Sequence, residues 1–381
     1  MEMTRKKLLL VTTVPETFIS ILDEQPRYLS EFFSVSIASS DDGRLLEFGR
    51  RQGVSVAEVP MVRGINPISD LKSIFRMVIL LRKIRPDIIQ SYTPKAGLVS
   101  MLSAWLCRVP VRVHTFTGLI FPTQKGFKKK LLIWIDRLIC KCATKVVPEG
   151  NGVKSDLICY GITNKPLEVI GHGNVAGVDT THFSPEAEDL LNKAQELSDV
   201  LLKSRFVFCF VGRMNRDKGI RELVDAFVKL PEDVCLILVG GEDPESPIDY
   251  ETQQIIQRSV NIQLLGFQSD IRPALMASHV LVLPSYREGF PNVVLQAGAM
   301  GLPVIATDIN GCNEFIDPGY NGWLVPPRNS EALLNAMLTA LQTEKEELVE
   351  MGKRGRKRVQ QRFERIHHWD RMRKFYQGLA R

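Results

Sequence analysis

Three observations predict two doubly wound α/β domains in tandem. Short apolar runs alternate with helical stretches, the runs fall into two separate series, and a glycine-rich segment lies between the series. At 381 residues the chain exceeds what one core ordinarily supports, so two domains are the natural partition. In the first half the runs are Lys7–Thr13, Phe32–Ala38, Val54–Pro60, Asp87–Ser91, Val111–Thr115, Thr144–Val147 and Leu167–Ile170. In the second half they are Phe206–Gly212, Val234–Gly240, Asn261–Leu265, Val280–Leu283, Pro303–Thr307 and Trp323–Val325. Many are unbroken Val/Ile/Leu segments, as in strands covered on both faces. The segments between them are long enough for crossover helices, which makes each sheet parallel. Gly171, Gly173 and Gly177, closed by Ser184-Pro185, mark the boundary. The domains are therefore expected at 1–178 and 179–363. A last, basic helix at 364–381 is expected to pack back on the basic first half.

Composition narrows the class. Hydrophobic residues make up 44% and charged residues 24%, a soluble globular balance. No apolar run approaches the ~18 residues of a membrane-spanning helix. Arg5-Lys6-Lys7 precede a brief apolar run that Thr12, Thr13 and Pro15 close at once. That reads as a first strand rather than a signal peptide, so a cytoplasmic location is expected. The seven cysteines are scattered, and Cys140 and Cys142 lack the usual zinc or redox spacing, so reduced thiols are expected. Charge is uneven. Residues 1–180 hold 25 basic against 16 acidic side chains, residues 181–352 hold 13 against 25, and residues 353–381 hold 11 against 2. The basic first half suggests an anionic partner, either a membrane surface or a phosphate-bearing acceptor. For the tail alone, solvated helix faces suffice. Its run Arg354 to Arg358 lacks the interleaved aromatics of a nucleic-acid site, and no nucleic-acid partner is expected.

Two segments carry chemistry. After the run Phe206–Val211 comes Gly212-Arg213-Met214-Asn215-Arg216-Asp217-Lys218-Gly219, which opens a helix. Arg213 at the strand end and Lys218 at the helix start can converge on a diphosphate, with the helix N-terminus adding partial positive charge. A planar guanidinium and a point-charge ammonium together suit a pyrophosphate leaving group. Alone, the segment is equally compatible with a surface turn. The second segment, Ser285 to Gly298, follows a strand ending at Pro284. Glu288 lies in its loop, and Gly289 lets the backbone approach a ligand. Pro291 suits a helix start, which aims N–H groups at the same edge as Lys218. A carboxylate there can accept hydrogen bonds from sugar hydroxyls; the blander role is helix capping. The chain has no Asp-x-Asp pair to hold a cation on a diphosphate, which agrees with Arg213 and Lys218 neutralising it; no metal is expected, and no cofactor.

These segments, with Leu264-Leu265-Gly266-Phe267, Asp308-Ile309-Asn310-Gly311-Cys312-Asn313-Glu314, Asn321-Gly322-Trp323-Leu324-Val325 and Val113-His114-Thr115-Phe116-Thr117-Gly118, resemble the retaining glycosyltransferases of the fourth family. The resemblance covers nearly the whole chain and looks closest to bacterial enzymes that extend lipid-linked sugars for capsule or O-antigen. It implies the GT-B fold, two Rossmann-like domains facing across a cleft, the first for the acceptor and the second for the donor. It implies that Arg213 and Lys218 neutralise the donor diphosphate. Glu288 would hold donor-sugar hydroxyls, assisted by Gly289 and the backbone of Phe290, Pro291, Asn292 and Val293. Gly266 and Phe267 would flank the nucleotide base, and His114 would act at the donor sugar. The family has a second Glu where this chain has Gln296, the position that usually serves the donor ribose; an amide still bonds a diol but carries no charge. A glycine pair usual after the first strand is replaced by Thr12, Thr13 and Val14.

The implied partners are a nucleotide-sugar donor, with UDP as the expected nucleotide, and a polyprenyl-diphosphate-linked saccharide. Lys95, after Thr93-Pro94, is the candidate for the acceptor phosphate; a solvated lysine is the alternative. Gly126 to Cys142 reads as an amphipathic helix with Phe127, Leu131, Trp134, Leu138 and Cys142 on one face and Lys128, Lys129 and Lys130 at its start. It suits the inner-membrane surface, or equally a domain core. Leu71 to Arg85 has a similar mixture. Two rival functions remain: a nucleotide-sugar epimerase of similar architecture, and a non-catalytic transferase acting as a partner subunit.

Overall fold

Leu8, Leu9, Leu10 and Val11 are all buried, and the computed structural model shows why a run apolar on both sides is needed. Successive strand residues point to opposite faces of a sheet. Leu9 and Val11 enter one core, and Leu8 and Leu10 enter another on the other side. The structure describes residues 5–379 except 63, 65, 189, 191–196, 198–203 and 245. By packing, the chain divides into two units. The first runs through Gly177 and resumes at Arg365, and the second is Val178–Glu364.

The first unit contains β1 (Lys7–Val11), α1 (Gln25–Ser30), β2 (Ser34–Ser39), α2 (Leu45–Gln52), β3 (Ser55–Glu58), α3 (Pro67–Ile84) and β4 (Ile88–Ser91). It continues with α4 (Pro94–Leu106), β5 (Val111–Phe116), α5 (Gly126–Cys142), β6 (Lys145–Pro148) and α6 (Asn151–Cys159). Its six strands are parallel in the order β3-β2-β1-β4-β5-β6. Met77, Val99, Ile139 and Leu157, from α3 to α6, cover one face. Leu29, Phe48 and the C-terminal helix Arg365–Leu379 cover the other. That helix is anchored by apolar burial rather than by its basic character. Trp369, Met372 and Tyr376 are buried, and the Tyr376 ring meets Phe33 edge-on at 5.9 Å. Arg365 adds ion pairs to Asp23 and Glu24.

The second unit repeats the plan with β7 (Phe206–Val211), α7 (Ile220–Phe227), β8 (Val234–Val239), α8 (Tyr250–Arg258), β9 (Ile262–Gly266) and α9 (Arg272–Met276). Then come β10 (Val280–Leu283), α10 (Asn292–Ala299), β11 (Val304–Thr307), α11 (Cys312–Phe315), β12 (Gly322–Val325), α12 (Ser330–Gln342) and α13 (Lys345–Arg362). Its parallel order is β12-β11-β10-β7-β8-β9. In each sheet the unit's first strand lies beside its fourth, so winding reverses between β1 and β4 and again between β7 and β10. Ligands of such sheets bind outside the carboxyl ends at this switch point.

One expected strand is corrected. Leu167–Ile170 makes only an isolated bridge, Leu167 to Val146. Pro166 removes a donor just before the run, and Glu168 interrupts its apolar pattern. Among the described residues no helix is long and apolar enough to cross a membrane.

Candidate functional site

The chain leaves β7 at Gly212 and passes close to the end of β8. Gly240 has φ +148°, and a Cβ there would overlap the Gly212 carbonyl oxygen. The Gly212 N–H donates to the Val239 carbonyl at 2.9 Å, and the Gly240 N–H to that of Gly266 at 2.8 Å. Three adjacent strands thus end level with one another. Asn215 then caps a single 3-10 turn, Arg216–Lys218, its Oδ1 accepting from the Lys218 N–H at 3.1 Å. Gly219 turns the backbone left-handed (φ +68°) directly against the Pro284 carbonyl, and α7 starts after it. Lys218 therefore ends a tight turn one residue ahead of the helix rather than opening it.

This approach brings the ends of β7 and β10 together. Lys218 Nζ donates to Glu288 Oε1 at 2.5 Å, with both side chains at most one-fifth exposed. Arg213 is more than half exposed and donates from Nη1 to Asp243 Oδ2 at 2.7 Å. The same oxygen accepts from Asn215 Nδ2 at 3.0 Å. Both cations are thus held by carboxylates at the switch point. Gly266 ends β9, and the Phe267 ring beyond it is 73% exposed. Past Glu288 and Gly289, the Phe290 ring is buried 5.3 Å from that of Phe363. Pro291 is the N-cap residue of α10, so the helix itself starts at Asn292, with no side chain capping it. Asn292, Val293 and Gln296 are half-buried on α10. Behind them Cys312 is fully buried; burial first, then the Glu288 carboxylate, raises its thiol far above the ordinary range.

Two expected site residues lie in the first unit. His114, on β5, is 1% exposed. Its Nδ1 lies 2.8 Å from Ser91 Oγ, the Phe116 ring meets it edge-on at 4.5 Å, and a Cβ at Gly97 would collide with it. Burial lowers its pKa to about 3, so the ring is neutral at physiological pH. Lys95 Nζ donates to both carboxylate oxygens of Asp70, at 2.6 and 2.7 Å, with each side chain about 90% buried. Thr13 and Thr93 close the same switch point, their hydroxyls 2.5 Å apart.

Asp243 went unread in the sequence, and Asn215, Asp217 and Gly240 were read there without a role. The Gly240-Gly241-Glu242-Asp243 run directly after a strand was the available signal, because strand ends next to the switch point share one edge.

Against this geometry stand the comparisons with known proteins. Residues 27–173 match the model of the glycosyl transferase 4-like domain, and residues 205–343 that of glycosyl transferases group 1. The capsular polysaccharide biosynthesis glycosyltransferase CapM of Staphylococcus aureus is 30% identical over 98% of this chain and 97% of its own. The Escherichia coli UDP-Gal:alpha-D-GlcNAc-diphosphoundecaprenol alpha-1,3-galactosyltransferase is 28% identical over 91% of this chain and 89% of its own. Among solved structures, Anabaena Alr3699/HepE in complex with UDP and glucose superposes with a TM-score of 0.83. That alignment covers 98% of this chain and all of the other at 20% identity, which shows a shared fold. Two parallel doubly wound units, both family models and a full-length relative agree: the chain belongs to the group 1 glycosyltransferases and has the GT-B fold.

Proposed function

We propose that the protein is a retaining, metal-independent transferase that moves a hexose or N-acetylhexosamine from a UDP-sugar to an undecaprenyl-diphosphate-linked saccharide in capsule or O-antigen synthesis. The observation that carries this reading is the Lys218–Glu288 contact at the β7/β10 switch point. Arg213 and Lys218 draw the leaving diphosphate, exchanging their carboxylate partners for phosphate oxygens. Glu288, once released, accepts hydrogen bonds from the donor sugar. The exposed Phe267 ring offers a face to the base, and Gln296 bonds the ribose through its amide. UDP as the nucleotide and a diphosphoundecaprenol acceptor are supported by what the E. coli relative acts on. The second unit takes the donor and the first the acceptor. His114 holds a hydroxyl as a neutral ring, with one ring nitrogen bearing hydrogen and the other able to accept.

The test offers single UDP-sugars with a polyprenyl-diphosphate-linked acceptor, with and without EDTA, and reads the product's anomeric configuration by NMR. Transfer with retention, insensitive to EDTA, is expected. Isomerised UDP-sugar formed without acceptor would instead make the protein an epimerase. UDP binding with no consumption of any donor would make it a non-catalytic subunit.

The lipid-linked acceptor places the work at the cytoplasmic face of the inner membrane. A candidate contact is the outer face of α3 and α5, which both pack on α4. Ile68, Leu71, Phe75 and Ile79 are exposed on α3 beside Lys72 and Arg76, and Phe127 and Trp134 are exposed on α5 beside Lys128 and Lys130. Further along α5, Ile139 and Cys142 enter the core, and on this reading the exposed start of the same helix meets the lipid. Sedimentation with phosphatidylglycerol vesicles, lost in Phe75→Ser/Trp134→Ser and absent with phosphatidylcholine, is the expected outcome.

A further inference from the structure

We propose that Asp217 is a positioning residue that straps the Glu288 loop to the Lys218 turn and keeps the two together once their ion pair opens. The inference rests on the donor-site reading above. Asp217 directly precedes Lys218. Its carbonyl accepts from the Tyr286 N–H at 2.8 Å. Its carboxylate Oδ2 accepts from Arg287 Nε at 2.9 Å and lies 2.9 Å from Nη2 in the same ion pair. Tyr286 adds a second tie, its hydroxyl 2.7 Å from both carboxylate oxygens of Glu222 on α7. Arg328 covers the Tyr286 ring at 4.6 Å. The two residues before Glu288 are thus fastened to residues on either side of Lys218.

The function follows from competition. A diphosphate that captures Lys218 takes it from Glu288. Were that ion pair the only link, substrate binding itself would free the Glu288 loop just when the carboxylate must meet the sugar. The Asp217–Arg287 pair is independent of substrate, so the backbone geometry survives the exchange. Misplacement by about 1 Å is enough to cost on the order of 100-fold in rate. Lys218 itself is set by the Asn215 cap and Gly219, which do not use the Asp217 carboxylate.

Asp217→Ala therefore separates turnover from diphosphate binding. The expected result is a kcat lowered about 10- to 100-fold with UDP affinity changed less than about threefold. The charge swap Asp217→Arg with Arg287→Asp should restore most of the loss. Both side chains are 35% exposed, so the fold tolerates the swap. Independently of any activity, amide hydrogen exchange in 285–291 should speed at least about tenfold in Asp217→Ala and recover in the swap. Unchanged exchange overturns the strap, whether or not the wild type transfers sugar. So does a kcat at the wild-type level, or a UDP affinity that falls in step with kcat. Failure of the wild type to bind UDP, with exchange behaving as expected, overturns the donor-site reading and leaves the strap standing.

Discussion

The two units share one strand order and so one switch point each, yet they fill it with opposite chemistry. Between β1 and β4 the polar groups are paired with one another: Thr13 bonds Thr93, the Ala96 N–H donates to the Thr13 hydroxyl at 3.2 Å, and Lys95 donates to Asp70. Between β7 and β10 stands a partly exposed Lys–Glu pair, and along the same edge an exposed arginine follows β7 and an exposed phenylalanine follows β9. Topology sets where a ligand can approach, and side-chain type decides whether it can bind. Thr13 shows how. A glycine admits a ligand to the backbone, whereas Thr13 spends its hydroxyl on the first turn of α4.

The sharpest way to break this comparison is at the charged switch point. Glu288→Ala should lower kcat by about 100- to 1000-fold, or about 3–4 kcal/mol of barrier, with circular dichroism unchanged. Lys218→Ala should weaken UDP binding in calorimetry. Thr13→Val at the first unit's switch point should leave UDP affinity as it is. Near wild-type turnover in Glu288→Ala would remove the distinction between the two crevices.

Next in size is the Lys95–Asp70 pair. Asp70→Ala strands a buried ammonium and should cost about 3 kcal/mol in urea unfolding, whereas Asp70→Leu with Lys95→Met should be close to neutral. If Lys95→Ala instead leaves stability intact and raises the acceptor KM, the lysine serves the acceptor phosphate.

The units should also differ in acid. Burial lowers His114 to about 3 and His368 to about 4 in the first unit, both from 6.5. Burial raises Asp136, in the same unit, from 3.8 to about 7. Between pH 5 and 6.5 the unfolded chain binds protons on both histidines while the folded unit keeps one on Asp136. The unfolded state therefore holds roughly a quarter of a proton more at pH 6.5 and about one more near pH 5, so stability should fall as pH drops through that window, with a slope that steepens to about 1.3 kcal/mol per unit near pH 5. His114→Asn should flatten the slope. Three of the four tryptophans, Trp105, Trp134 and Trp369, belong to the first unit, so fluorescence-detected unfolding reports on it.

Much of the fold was legible because strands buried on both faces read as unbroken apolar runs, and α5 was read with the bounds it has, Gly126–Cys142. The partners of the charged residues were not legible. Asp70 meets Lys95 across 25 positions, Arg213 meets Asp243 across 30, and Lys218 meets Glu288 across 70. Those pairings follow from strand order, which periodicity does not encode. The burial of His114 was equally hidden, because the bare Cα of Gly97 that admits its ring lies on α4.

The smallest expected effect sharpens the comparison within the charged switch point. Gln296 lies on α10 behind Asn292 and is half-buried. Its amide both donates and accepts, whereas a glutamate accepts twice and so matches both hydroxyls of a ribose. A charged acceptor strengthens such bonds by roughly 0.5–1 kcal/mol each, but the new charge would also face the diphosphate. Gln296→Glu should therefore tighten UDP only about two- to fivefold in calorimetry, and bind uridine more tightly by a larger factor, because the nucleoside lacks the diphosphate. Equal affinity of both variants for uridine would mean that residue 296 does not reach the ribose, and the nucleotide would have to be anchored by Phe267 and the two cations alone.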